Sequence, residues 1–254
     1  MEQSAWRHYI ECFHHERPGI TSETLGRARD EGLGPYQWAL EPLEGAEPLF
    51  DLACGDGPTL AHARSAGWLG LDASAAELAR ARAQGAHRLV RADVTRLPLR
   101  SGSTAALVCS MALMVVQPLD ALLAEVHRVL TDDGRVVALL PGGRPLNAVD
   151  LYRYSQLMLS LRRTYLAYPN DRPLTRLRAA AARAGLVVAD DRRRRFELAL
   201  PTPADARRFV ASLYLPGVEA RRFDMAAARA AGWAPGSIGV PLRRVTLEVG
   251  RASF

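Results

Sequence analysis

From about residue 47 the chain alternates short apolar runs with stretches of helical periodicity, the pattern of parallel strands covered by helices. Residues 48–53 predict a first strand, which breaks into Cys54-Gly55-Asp56-Gly57-Pro58; an alanine-rich helix is expected from there to about Ala66. Residues 68–72 predict a second strand, Ser74 caps a following helix through its hydroxyl, and 89–92 predict a third strand. Residues 104–110 form a continuous apolar run, as in a strand buried on both faces. A helix over 118–130 is expected to end at Asp132-Asp133-Gly134, with the glycine as left-handed cap, before a fifth strand over 135–140.

The remainder is less regular. Helices are expected over 148–165, 174–184 and 204–213, and strands over 186–200 and 240–249. The two late strands complete a doubly wound, Rossmann-like α/β sheet begun by the five earlier ones. A single domain is expected, divided into an N-terminal helical lid (1–46), a core (47–142) and an acceptor-side region (143–254). The run from Arg192 to Arg195 reads as a solvated strand edge that blocks strand addition, with two side chains on each face.

Composition changes this picture little. The net charge is +6, yet all 33 basic residues are arginine and lysine is absent, a bias of the whole chain that argues only weakly for a nucleic-acid partner. Cys12, Cys54 and Cys109 are too widely spaced for a disulfide framework or a zinc site, so a reducing compartment and no metal are expected. The N-terminus has no signal-peptide pattern, and the longest nearly apolar run, 105–116, is too short to span a bilayer. A cytoplasmic protein is the expectation.

The candidate chemistry lies at the strand ends. Small residues at Ala53, Gly55 and Gly57 let a ligand lie against bare backbone after the first strand. The dinucleotide fingerprint demands a glycine where Leu60 stands, so a nicotinamide or flavin cofactor is disfavoured and a nucleoside without a pyrophosphate is preferred. Asp72 and Asp93 stand at the carboxyl ends of the second and third strands. There they can accept from ribose hydroxyls and from an adenine amino group, with Val94 packing on the ring.

Taken together, Asp51-Leu52-Ala53-Cys54-Gly55-Asp56-Gly57, Gly70-Leu71-Asp72-Ala73-Ser74, Arg91-Ala92-Asp93-Val94 with Leu97-Pro98-Leu99, and Glu125 to Gly134 resemble the class I S-adenosylmethionine-dependent methyltransferases. The closest likeness is to the small-molecule branch with a methyltransferase-11 type domain, and it covers roughly residues 47–142. The resemblance implies a seven-stranded sheet whose last strand is antiparallel, S-adenosylmethionine as cofactor and S-adenosylhomocysteine as product. It places the methionine part at Asp51 and at Ala53, Cys54, Gly55 and Gly57, the ribose at Asp72 beside Ala73, and the adenine at Asp93 and Val94. Ser110 and Met111 would face the methyl group. Two departures from the family pattern stand out, Ala53 for the usual first glycine and Ala105 for an acid common in the fourth strand.

Candidate acceptor groups lie outside that core. Trp6, His8, Tyr9, Phe13, His14, His15, Arg17, Tyr36 and Trp38 make the N-terminal segment rich in groups suited to a lid. His14 or His15 is a candidate general base, with a solvated surface histidine as the alternative for each. Tyr9, Tyr168 and Tyr214 are candidate acceptor contacts. Cys109-Ser110-Met111-Ala112 replaces the Asn- or Asp-Pro-Pro-aromatic motif of planar-amine methyltransferases. The expected activity is therefore methyl transfer to oxygen, nitrogen or carbon of a small molecule, in the manner of bacterial secondary metabolism, by a monomer or homodimer. The alternatives are an RNA methyltransferase and a cofactor-binding protein that promotes another reaction or serves as a partner subunit.

Overall fold

A computed structural model describes residues 3–250; the outermost residues of the two terminal regions, 1–2 and 251–254, lie outside it. Three short helices, α1 (Gln3–Glu16), α2 (Ile20–Gly26) and α3 (Pro35–Leu40), precede the sheet. Then follow β1 (Leu49–Leu52), β2 (Leu69–Asp72), α4 (Ala75–Ala83), β3 (Leu89–Arg91), β4 (Thr104–Ser110), α5 (Leu119–Val129) and β5 (Leu130–Pro141). The last part comprises α6 (Ala148–Leu161), α7 (Asp171–Thr175), α8 (Leu177–Arg183), β6 (Leu186–Leu200), α9 (Pro203–Ala211), α10 (Ala220–Ala231) and β7 (Gly236–Val249).

The sheet is seven-stranded in the order β3-β2-β1-β4-β5-β7-β6, parallel from β3 to β5, with β7 antiparallel to both of its neighbours. Alternation along β4 explains the layering: Ala106 and Val108 enter the apolar layer shared with α3, α6, α9 and α10, while Leu107 and Cys109 enter the layer shared with α5, α8 and α1. Strand order reverses between β1 and β4, which opens a crevice at the carboxyl ends of the strands. No helix among the described residues is long and apolar enough to cross a membrane.

Several local expectations are corrected. The alanine-rich stretch after Gly57 makes a single turn, with the Ala63 N–H bonded to Thr59 O at 2.9 Å, and no helix. Thr59 is fixed from below by Asp51 and Trp68, and the chain must turn back through Gly67 within a few residues to start β2. Gly134 does not have the left-handed conformation of a cap: α5 ends at Val129 and Leu130 already begins β5. Glycine is needed there for close packing, because a Cβ would come within 2.9 Å of the Thr131 carbonyl oxygen and 3.1 Å of that of Thr104. The helix expected over 174–184 is broken at Arg176 into α7 and α8, and α10 has no counterpart in the sequence reading.

The arginine run lies on the edge strand β6, as expected, but is not uniformly solvated. Arg195 forms a two-pronged pair with the buried carboxylate of Asp150, at 2.6 and 3.1 Å, and Arg194 lies over the Trp38 ring. Further along the same edge, the Arg29 N–H donates to Glu197 O at 2.9 Å and the Glu197 N–H returns to Arg29 O at 2.7 Å. This segment between α2 and α3 covers part of the edge that would otherwise offer unpaired backbone.

Candidate active site

Backbone turns build the floor of the crevice. Ala53, Gly55 and Gly57 have φ of 52°, 56° and 78°, and Met111 at the end of β4 has φ of 57°. These left-handed residues swing the chain away from the strand axes and leave space above β1 and β4. Asp51 on β1 is buried, and its Oδ2 accepts from Thr59, which in turn accepts from the Trp68 indole at 3.0 Å. Burial pushes the Asp51 carboxyl up to about 7, against the lowering effect of the Thr59 bond.

Asp72 closes the far side of the β1 turn: Gly55 N–H donates to its Oδ2 at 2.8 Å and Ser74 N–H to its Oδ1 at 2.7 Å. Burial raises its pKa, and those two donors offset part of the rise. For Asp93, burial works upward but is outweighed by Thr95 and Arg7, so the carboxyl lies below its ordinary range. Arg7 reaches it from α1 at 2.7 Å. Ala53, Cys54, Gly55, Asp72, Ala73, Asp93, Val94, Ser110 and Met111 line one cavity of about 770 Å³ with Asp51 at its base. Gly57 is not part of that lining; its α-carbon faces Trp68 and Ala81 beneath the turn.

The roof comes from distant segments. Helix α1 crosses the opening and contributes Arg7, Ile10 and His14; α2 contributes Thr21 and Ser22. The Ser22 hydroxyl donates to the buried Asp56 at 2.5 Å, and Arg80 of α4 donates to the same carboxylate at 3.1 Å. His14 Nδ1 lies 2.6 Å from Glu77 Oε1 of α4, and His14 Nε2 lies 3.0 Å from the Tyr214 hydroxyl. The Glu77 carboxylate also accepts the Gly19 N–H at 3.0 Å. Tyr214 packs edge-on against Phe13 at 4.8 Å, and its phenol is raised by burial.

Residues 50–138 match the family described as a methyltransferase domain. That segment belongs to the class I S-adenosylmethionine-dependent methyltransferases. The fold is shared with the YcgJ protein from Bacillus subtilis, at TM-score 0.58 and 16% identity over 86% of this chain and 99% of that one. It is also shared with the [4+2]-cyclase SpnF, at 0.54 and 18% over 85% and 80% of the two chains. A structure described by the conversion of a disulfide bond into a thioacetal group during echinomycin biosynthesis shares it at 0.54 and 16%, over 86% and 83%. No curated protein matches the sequence.

S-adenosylmethionine is the cofactor of this methyltransferase domain, and the cavity has the chemistry to receive it. Asp51 Oδ1 and Ser110 Oγ are buried at the cavity with no protein hydrogen-bond partner, so two polar atoms are left for a ligand to satisfy. Asp51, Asp56, Asp72 and Glu77 bring carboxylates to the lining, which suits a ligand carrying an ammonium and a sulfonium.

The sequence candidates separate cleanly in space. His14 and Tyr214 meet over the cavity. His15 is exposed and does not line it. Tyr9 and Tyr168 support the roof from outside the lining: the Tyr9 hydroxyl accepts the Leu215 N–H at 2.8 Å, and burial raises the Tyr168 phenol. Glu77, Asp56 and Arg7 line the cavity without having been singled out for it, and Tyr36, expected in the lid, lines it too. Glu77 carried one signal, its position three residues after the capping Ser74, where a glutamate often bonds back to the cap. Here it turns to Gly19 and His14 instead. Burial raises the thiols of Cys54 and Cys109, which removes both as nucleophiles at neutral pH.

Proposed function

We propose that the whole chain works as one methyltransferase domain that moves the methyl group of S-adenosylmethionine to a small-molecule acceptor, with residues 1–46 as its lid. The observation that carries this reading is the continuity of a single cavity from the carboxylates at the ends of β1, β2 and β3 to an apolar wall of Ile10, Met111, Ala112, Val115 and Val116. When bound, the cofactor supplies an electrophilic methyl group on a sulfonium leaving group. In this reading Asp51 and the 53–57 turn hold the methionine part, Asp72 with Ala73 the ribose, and Asp93 with Val94 the adenine. Ser110 and Met111 border the place of transfer. The roof of α1 excludes water and leaves room for a compact molecule. Fold neighbours named for a [4+2] cyclisation and for a step of echinomycin biosynthesis favour a small molecule as the substrate.

Calorimetric titration with S-adenosylmethionine and S-adenosylhomocysteine tests the reading. Saturable binding is expected, and Asp72→Ala is expected to weaken it by about 1–3 kcal/mol, the cost of losing a buried hydrogen-bonding partner. Absence of binding to the wild-type protein at roughly millimolar cofactor sinks the proposal. A second reading, promotion of a reaction other than methyl transfer, draws on the chemistry named for SpnF. It predicts cofactor binding with product turnover but no S-adenosylhomocysteine.

A further inference from the structure

The roof contains a hydrogen-bonded series that methyl transfer from the cofactor does not by itself require. Glu77 approaches His14 Nδ1 at 2.6 Å, a contact that in the neutral imidazole places the proton on Nδ1 and leaves the lone pair on Nε2. That lone pair meets the Tyr214 hydroxyl at 3.0 Å, so the phenol donates to His14; with the Thr21 hydroxyl beside its oxygen, one lone pair is left for another donor. All three side chains line the cavity, and Glu77 is almost fully buried, at 4% exposure of its side chain. A carboxylate that backs a histidine holds its tautomer and stabilises the imidazolium once a proton arrives. A plain lid contact does not need such a series: Phe13 packing and the Glu77–Gly19 bonds already seat α1 and α2.

We infer that Tyr214, His14 and Glu77 form a proton relay, and that the acceptor of this methyltransferase is a phenolic hydroxyl. This rests on the methyl-transfer reading above. The acceptor's O–H donates to Tyr214 Oη. As the acceptor oxygen forms its bond to the methyl carbon, the carbon–sulfur bond breaks and its electron pair stays on sulfur. The acceptor's proton passes to Tyr214 Oη, while the proton of Tyr214 passes to His14 Nε2. The products are a methyl ether, a neutral thioether and an imidazolium paired with Glu77, so charge and protons balance. Met111, Ala112, Val115 and Val116 line the same cavity as the relay and offer an apolar surface for the flat ring of such an acceptor.

Two measurements test the relay. The first needs neither cofactor nor acceptor: nitrogen NMR of histidine-labelled protein at about pH 8, above the ordinary imidazole range. The expected result is a His14 ring protonated on Nδ1 alone, with the Nε2 resonance moved by Tyr214→Phe, a change that keeps the ring packed on Phe13. A ring protonated on Nε2, or an Nε2 signal indifferent to that substitution, overturns the relay.

The second measurement follows S-adenosylhomocysteine formation with phenol and 4-nitrophenol at about pH 8, where the nitrophenol is largely ionised and phenol, with a pKa near 10, is ionised only to about 1%. Tyr214→Phe and Glu77→Gln are expected to lower turnover of phenol on the order of a hundredfold or more. For Tyr214→Phe the loss on nitrophenol is expected to be smaller than the loss on phenol by about tenfold or more, since no proton then has to be moved. Equal losses on both acceptors, or no transfer to either phenol while cofactor still binds in the calorimeter, overturn the inference and leave the methyl-transfer reading standing. Loss of cofactor binding in the wild-type protein overturns the methyl-transfer reading instead.

Discussion

The floor and the roof of the same cavity are built on different principles. The floor is local: Asp51, Ala53, Gly55 and Asp72 stand within a few residues of their strand ends, and left-handed turns set their positions. The roof is assembled from far along the chain, since His14 meets Glu77 across 63 residues and Tyr214 across 200. A floor held by the parallel sheet is rigid by construction, whereas a roof held by side chains can open without unfolding the sheet.

The largest expected effect separates the two parts directly. Phe13→Ala removes a buried ring worth about 3–5 kcal/mol of packing. Amides of α1 are expected to exchange on the order of a hundredfold faster or more, while those of β1 and β4 keep their protection. Equal acceleration in both regions, read by hydrogen exchange, would make floor and roof one cooperative unit.

Next in size is the pH dependence of the floor. The folded-state pKa of Asp51 is raised from 3.8 to about 7, so the folded protein binds this proton more tightly than the unfolded chain. Its contribution is therefore fully present below about pH 4 and is lost as pH rises through about 7, with a slope approaching about 1.4 kcal/mol per pH unit for one proton. Asp51→Asn is expected to flatten that slope in urea titrations at a series of pH values. An unchanged slope would assign the effect to other groups.

Gly70→Ala tests how tightly the floor is packed. A Cβ there would sit 2.6 Å from the Trp68 ring and 2.7 Å from Cys54 Sγ, both buried. The substitution is expected to cost about 1–3 kcal/mol, seen as a lower urea midpoint. The smallest effect has the opposite sign: Ala53 carries a positive φ, so Ala53→Gly is expected to raise stability by about 0.5–1 kcal/mol after glycine's entropy cost. Lower stability in that variant would show that the Ala53 methyl packs more than it strains.

The same division governs what the amino-acid sequence revealed. The apolar run of β4, the Ser74 cap and the full length of β6 were legible because each depends on neighbours in sequence. The helix expected after Gly57 was not formed, because alanine propensity gave way to the Thr59–Asp51 and Thr59–Trp68 bonds that pin the turn. Gly134 differs for a similar reason: its constraint is a close approach to Leu130, to the Thr131 carbonyl and to the Thr104 carbonyl of β4, where the chain folds straight from α5 into β5 without a cap. Ala53 stood out as a departure from the family's glycine, and its left-handed φ gives that departure a physical meaning. Glu77 was passed over because its partners, Gly19 and His14, come from two earlier helical segments.

The closure of the sheet edge also orders the assembly of the protein during synthesis. Arg29 pairs with Glu197, the Trp38 carbonyl accepts from Arg244 at 2.5 Å, and Phe13 rests on Tyr214. The helices that precede the sheet thus dock onto residues made only after its parallel strands. The nascent chain can complete those strands and their turns while the helices still wait undocked, and the roof closes only once the segment that carries Tyr214 has been made.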